Sequence, residues 1–136
     1  FTARGLRPGV SNLLIVRSFS DTGYAGESSG IEQRVTMEPD TTSPTHPGPP
    51  HAASAAPKAL SFTWAAATDN DAVAHYKVYM KQPGGHFKLV GSTKASTRKF
   101  SKGGLLPGHR YIFAIRALDQ SGNISPFSTA ATFRTT

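Results

Sequence analysis

The sequence predicts an all-β protein: an antiparallel β-sandwich of about seven short strands, preceded by part of a second sandwich. Three observations predict it. From Leu60 onward apolar residues recur with period two, the period of a half-buried strand, and no helical pattern intervenes. Turn-formers separate these runs: Gly and Pro are 13 and 10 of 136 residues, about 17% against an ordinary ~12%. A segment near the start recurs 99 residues later, so the chain holds the tail of one module and a whole second one.

The repeat is read residue by residue. Phe1-Thr2-Ala3-Arg4-Gly5-Leu6-Arg7-Pro8-Gly9 matches Phe100-Ser101-Lys102-Gly103-Gly104-Leu105-Leu106-Pro107-Gly108. The match runs on through apolar stretches ending in Arg17 and Arg116, then pairs Gly23 with Gly122 and Ser29 with Ser128. Residues 1–39 are therefore expected to be the C-terminal part of a first module. The start at Phe1 rather than Met suits a processed product or a piece of a longer chain.

Residues 40–57 are expected to be a Pro-rich linker running into a first edge strand. Six prolines lie between Glu38 and Lys58, and proline fixes φ and removes a donor. Such a stretch favours an extended, semi-rigid spacer, and within a sheet it is tolerated at an edge. Residues 58–136 supply the remainder of the complete module. Leu60, Phe62 and Trp64 alternate with Ser61 and Thr63, a strand whose Trp64 is expected at the core's centre. Residues 65–71 form a polar loop. Tyr76, Val78 and Met80 alternate with Lys77 and Tyr79, and Gln82-Pro83-Gly84-Gly85 is a turn. Phe87 and Leu89 begin a third strand. A fourth runs through Thr97, Lys99 and Ser101, or in the other phase with Phe100 inward. Tyr111, Phe113, Ile115 and Ala117 mark a long central strand, Asp119–Asn123 a turn, and Thr129–Thr135 the last strand, with Ala131 and Phe133 inward.

These residues resemble a fibronectin type III module. The carriers are Trp64, the run Tyr76-Lys77-Val78-Tyr79, and Leu105-Leu106-Pro107-Gly108-His109-Arg110-Tyr111 opening an alternating strand. The resemblance implies an immunoglobulin-like sandwich and makes Tyr111 the tyrosine-corner residue, its hydroxyl bonded to backbone just upstream. Asp40-Thr41-Thr42-Ser43-Pro44, Thr68-Asp69-Asn70 and Asp119-Gln120-Ser121-Gly122-Asn123 are similar to bacterial members. Those occur as accessory modules of exported glycoside hydrolases and as decorations on phage virion proteins. In the first copy Asn12 replaces the corner tyrosine, and Leu13–Val16 is a continuous apolar run. That strand is expected to be buried on both faces.

Composition excludes several chemistries. There is no Cys, hence no disulfide, thiolate nucleophile or thiolate metal site. No apolar run approaches the ~18–20 residues of a membrane span. The eight carboxylates include no pair with a defined glycosidase geometry. Asp69 and Asp71 share one loop, where Asx-turns are the simpler reading than a calcium site, because calcium takes six or more oxygens. His46, His51, His75, His86 and His109 lack the i, i+4 spacing of a zinc helix. No catalytic, cofactor-binding or metal-binding residue is therefore expected, and no cofactor. Asn123-Ile124-Ser125 is a glycosylation sequon, of consequence only in a eukaryotic secretory pathway.

What remains is surface. The net charge is +7, and Lys94, Arg98, Lys99, Lys102 and Arg110 fall close together in sequence. Solvation is the plain reading of scattered lysines; an anion-binding face is the functional one. Tyr79 and Phe87 are candidates for sugar stacking, with cross-strand packing as the alternative. The expected role is a non-catalytic spacer and interaction module of a larger exported multidomain protein or virion protein, located outside the cell or on a virion. The alternative is a carbohydrate- or anionic-polymer-binding accessory module of a polysaccharide-degrading enzyme. Expected partners are neighbouring domains and a polysaccharide or other polyanion. Nucleic acid is not expected, since the aromatics near the basic residues read as core.

Overall fold

The computed structural model describes the backbone of residues 11–16 and 31–36 and all of residues 39–136. The chain divides into two compact units, Phe1–Asp40 and Thr41–Thr136. In the first, β1 (Ser11–Val16) and β2 (Ile31–Thr36) pair antiparallel, from Ser11 opposite Thr36 to Val16 opposite Ile31. The segment before β1, the turn around Gly23 and the burial expected of Leu13–Val16 lie outside the described residues.

The second unit is an all-β sandwich of seven strands. They are β3 (His51–Ala56), β4 (Ala59–Thr63), β5 (Val73–Lys81), β6 (Lys88–Lys94), β7 (Lys99–Gly103), β8 (Arg110–Asp119) and β9 (Ala131–Arg134). One sheet has the order β3-β4-β7 and the other β6-β5-β8-β9, with every pairing antiparallel. The expected alternation holds on β4, β5 and β8, whereas β6 turns Val90 rather than Leu89 toward the core, leaving Leu89 55% exposed, and β3 is exposed throughout. Tyr76 and Val78 on β5 and Tyr111, Phe113, Ile115 and Ala117 on β8 are buried between the sheets. On β7 the inward phase is the one that carries Phe100, which lies opposite Phe62 and packs against the core.

Phe62, rather than Trp64, is the hub. Its ring lies 4.6 Å from Phe113, 5.7 Å from Phe133, 6.0 Å from Phe100 and 6.1 Å from Trp64, centroid to centroid. Trp64 follows the last residue of β4 and packs edge-on against Tyr76 at 5.6 Å. The sequence places the larger ring at the centre because size is legible there. The structure places Phe62 there, inside β4, where rings from both sheets reach it.

The Pro-rich segment differs from the expected linker. Pro44, Pro47 and Pro50 are buried, and the backbone pairs with the 65–68 loop: Thr45 N–H donates to Thr68 O (2.9 Å) and Gly48 N–H to Ala65 O (3.1 Å). Prolines that need no donor fit a segment bonding on one side only. Residues 44–56 are thus part of the sandwich, with β3 as the fully exposed edge strand.

The last strand is shorter than expected. It spans Ala131–Arg134, and ahead of it, on either side of Pro126, two serine hydroxyls bond to β8. Ala117 N–H donates to Ser125 Oγ (2.8 Å) and Ile115 N–H to Ser128 Oγ (3.0 Å). Ser125 N–H and Ser128 N–H return bonds to Ala117 O and Ile115 O. Only at Ala131 does the main-chain ladder to β8 resume.

The chain of this unit enters at one pole and leaves at the other. Thr45 and Thr68 mark the first pole, with Asp119 at the end of β8 and Trp64 N–H bonded to Arg98 O. At the second pole Leu105 N–H meets Lys58 O and Thr135 N–H meets His109 O. The ten residues of β8 run from one pole to the other, roughly 30 Å at ~3.3 Å per residue. At the second pole Leu106 N–H donates to the Tyr111 hydroxyl (2.9 Å), which is the corner bond implied by the resemblance. Tyr111→Phe is expected to cost about 1–2 kcal/mol by orphaning that N–H, read as a lowered Tm; an unchanged Tm would deny the bond any weight.

Candidate functional site

The outer face of the β6-β5-β8-β9 sheet collects the surface features that could bind a ligand. Residues directly opposite in antiparallel strands share a face, and on β5 the odd positions point outward because Tyr76 and Val78 point in. The outward rungs are His75 between Lys94 and Leu118, Lys77 between Ser92 and Arg116, Tyr79 between Leu89 and Ala114, and Lys81 opposite Ile112. Arg110 opposite Arg134 closes the series at the second pole.

Tyr79 and Phe87, the two predicted aromatics, are brought together by a third ring that sequence reasoning passes over. Phe127 meets Tyr79 edge-on at 5.0 Å and stacks on Phe87 at 5.3 Å. Its position in the irregular segment after Pro126 gives no periodic signal, so pattern reading has nothing to work with. Two cations complete the cluster. Lys81 Nζ lies 4.9 Å from the Phe87 centroid, and the Arg116 guanidinium carbon lies 4.9 Å from that of Phe127. Arg116 Nε–H also donates to Ser125 O at 2.6 Å. The cluster clasps the 125–130 segment onto β5 and β8. Phe127 is still 41% exposed, so Phe127→Ala is expected to cost only about 1 kcal/mol. Urea titration reads that loss, and a cost of several kcal/mol would make the ring a core residue.

The five predicted basic residues do not converge. Lys94, Arg98 and Lys99 lie toward the first pole, Lys102 and Arg110 toward the second. They also divide between sheets, because β7 belongs to the three-stranded sheet and β6 and β8 to the other. Of the five, Lys94 and Arg110 stand on the outer face with the aromatic cluster. Their partners there are Lys77, Lys81, Arg116 and Arg134, spread through sequence and gathered by register alone.

The carboxylates stand apart from that face. Within Thr41–Thr136 they are Asp69, Asp71 and Asp119, all at the first pole. Asp69 Oδ2 accepts the Asp71 N–H (3.2 Å), the Asx-turn expected of this loop. Asp119 is buried, and its Oδ1 accepts the N–H groups of Gly122 (2.7 Å) and Asn123 (2.8 Å) while Oδ2 accepts Asn123 Nδ2–H (2.8 Å). That amide is the one the sequon would offer for glycosylation. The histidine rings make local bonds: His46 Nδ1–H to Pro47 O (3.1 Å) and His109 Nδ1–H to Pro107 O (2.8 Å). The buried serine hydroxyls serve the backbone.

A model of the fibronectin type III domain matches residues 45–134. The chain belongs to the fibronectin type III family. Among known proteins it is similar to Endoglucanase B of Cellulomonas fimi, 41% identical over 98% of this chain and 13% of that protein. It is 38% identical to Chitinase Chi52 of Paenibacillus xylanexedens over 82% of this chain and 20% of that protein. The chain thus spans between one-eighth and one-fifth of the length of these relatives. Among solved structures, a fibronectin type III domain of human fibronectin type III domain containing protein 3 matches with TM-score 0.61 and 23% identity, over 71% of this chain and 89% of the domain. That likeness shows the fold. The tyrosine corner, the Phe62-centred core and the 3-plus-4 sheet arrangement are the fibronectin type III sandwich in this chain's own residues.

Proposed function

We propose that this chain is a non-catalytic accessory part of an exported polysaccharide-degrading enzyme, in which fibronectin type III modules hold neighbouring domains apart. The single observation that carries the reading is the polar path of the chain. A sandwich entered at the Thr45 pole and left at the Thr135 pole sets its two attachment points about the length of β8 apart, roughly 30 Å. The filled core between the sheets, with Phe62, Val78, Phe113 and Ile115 wholly buried, offers rigidity rather than a cavity for a reaction.

Two further observations support the setting. The relatives named above are an endoglucanase and a chitinase many times longer than this chain, and neither is a virion protein. The 99-residue offset carries β1 onto 110–115, the first residues of β8, and β2 onto 130–135, around β9. Both pairs are antiparallel, with registers that differ by one residue at this offset, and the likeness supports reading the first unit as the tail of a preceding module.

The test compares the parent enzyme with a variant in which residues 41–136 are replaced by a flexible Gly/Ser linker. The expected result is unchanged turnover of a soluble oligosaccharide and reduced attack on insoluble polymer, because a flexible chain no longer holds the separation. Loss of turnover on the soluble substrate would place catalytic groups in this unit and overturn the reading.

A further inference from the structure

We propose that the outer face of the β6-β5-β8-β9 sheet binds a linear acidic polysaccharide, one whose sugars carry carboxylates. The inference goes beyond the spacer role, which needs no ligand at all.

Charge complementarity carries it. Six cations stand on this face: Lys77, Lys81, Lys94, Arg110, Arg116 and Arg134. They occupy rungs from the Lys94 end to the Arg110–Arg134 pair, about 26 Å along β8 at ~3.3 Å per residue. Not one carboxylate of Thr41–Thr136 shares the face, since Asp69, Asp71 and Asp119 all lie at the first pole. An exposed sheet face kept for solubility alone intersperses both signs. Here one sign is stretched along the strand direction, the shape that matches a chain of regularly spaced anions.

The aromatic cluster decides between ligand chemistries. A neutral glycan or a nucleobase would need a free ring face on which to stack. Phe87 and Phe127 already stack on each other, and each carries a cation 4.9 Å from its centroid. The rings therefore act on the cations: they hold the Lys81 ammonium and the Arg116 guanidinium in place without neutralising them. A bond from Arg116 Nε–H to Ser125 O fixes that side chain further. Preorganised cations lose less side-chain entropy on binding an anion. Arg134 is held likewise, its Nε–H donating to Gly108 O at 3.0 Å. Guanidinium groups so placed suit carboxylates, which they meet with two parallel bonds.

The experiment uses the whole 136-residue chain, with polygalacturonate, a neutral soluble β-glucan and a single-stranded oligonucleotide as probes. Affinity electrophoresis and calorimetry at low salt are expected to show binding to polygalacturonate that weakens as salt rises. Lys77→Glu with Arg110→Glu is expected to weaken it at least about tenfold, since two attractions become repulsions. Lys58→Glu with Lys99→Glu makes the same change of net charge away from this face and is expected to leave affinity within about twofold. Lys77→Gln with Arg110→Gln, milder toward folding, is expected to fall between them. Thermal unfolding checks that all three variants fold. Equal losses in the two Glu pairs, no retention by polygalacturonate, or tighter binding to the β-glucan or the oligonucleotide would each overturn the proposal. None of these outcomes bears on the linker-replacement test, so the two readings fail separately.

Discussion

Phe62→Ala is expected to destabilise the Thr41–Thr136 unit by about 3–5 kcal/mol, the largest effect of any single truncation considered. The ring is wholly buried and lies within 6.1 Å of four other aromatic rings, two from each side of the sandwich taken with its own strand. Removing it takes away the transfer free energy of a large side chain and leaves a cavity between two hydrogen-bonded sheets. Sheets close such a gap poorly, because moving a strand breaks its ladder. A domain of this size has only about 5–15 kcal/mol of stability in total. Each kcal/mol moves the midpoint by roughly 4–8 °C, so the Tm is expected to fall by more than about 12 °C. Calorimetry of the 136-residue chain measures this directly. A drop below about 5 °C would mean that the core is organised around another residue, with Trp64 the obvious rival.

Ser125→Ala combined with Ser128→Ala is the second large effect, and it is a polar one. Each hydroxyl accepts a backbone N–H from the middle of β8, at 2.8 Å from Ala117 and 3.0 Å from Ile115. Both serines are buried, so water cannot replace the lost acceptors. An orphaned buried donor costs about 1–3 kcal/mol, and two of them about 2–6 kcal/mol together. Hydrogen exchange is the discriminating readout. The amides of Ile115 and Ala117 are expected to lose protection in the double variant, while that of Val78, on the far side of β8, follows only the global change in stability. Retained protection at Ile115 and Ala117 would show that the 125–130 segment can restore a ladder without the hydroxyls. A single serine-to-threonine exchange, which keeps the acceptor, is expected to preserve protection.

Much of the sandwich was legible because period-two alternation reports directly which side chains turn inward. Leu60 and Phe62, Tyr76 and Val78, and the four inward residues of β8 all follow it. The turn at Gln82–Gly85 was legible from composition, and Gly85 N–H bonds to Gln82 O across it. Gly108 and Gly122, the partners of Gly9 and Gly23 at the 99-residue offset, adopt φ of 70° and 98°, a region that side chains with a Cβ rarely enter. For residues 40–57 the sequence predicts a Pro-rich linker and a first edge strand, and the edge strand is β3, but proline count says nothing of burial. Pro44 and Pro47 proved to be packed on the sandwich, where a ring without an N–H is an apolar side chain like any other.

The candidate face was legible only in part, and the reason is register. Tyr79 and Phe87 could be named from strand phase, and Arg110 and Lys94 from their charge. Nothing in one dimension says that Lys77 stands beside Arg116, or Arg110 beside Arg134. Nor does it say that Phe127, from a segment without alternation, crosses back over β5.

Taken alone, the amino-acid order determined which residues turn inward on β4, β5 and β8, where the chain reverses, and that no thiol chemistry is available. These are local properties, set by side-chain period and by the φ that Gly and Pro allow. Tertiary structure decided the rest: that Phe62 outranks Trp64, that two serine hydroxyls complete a strand, and that six distant cations line one face while every carboxylate of the sandwich gathers at one pole. Those facts depend on pairing between strands far apart in the chain. Pairing is fixed by the hydrogen-bond register of the folded sheets, which no single segment encodes by itself.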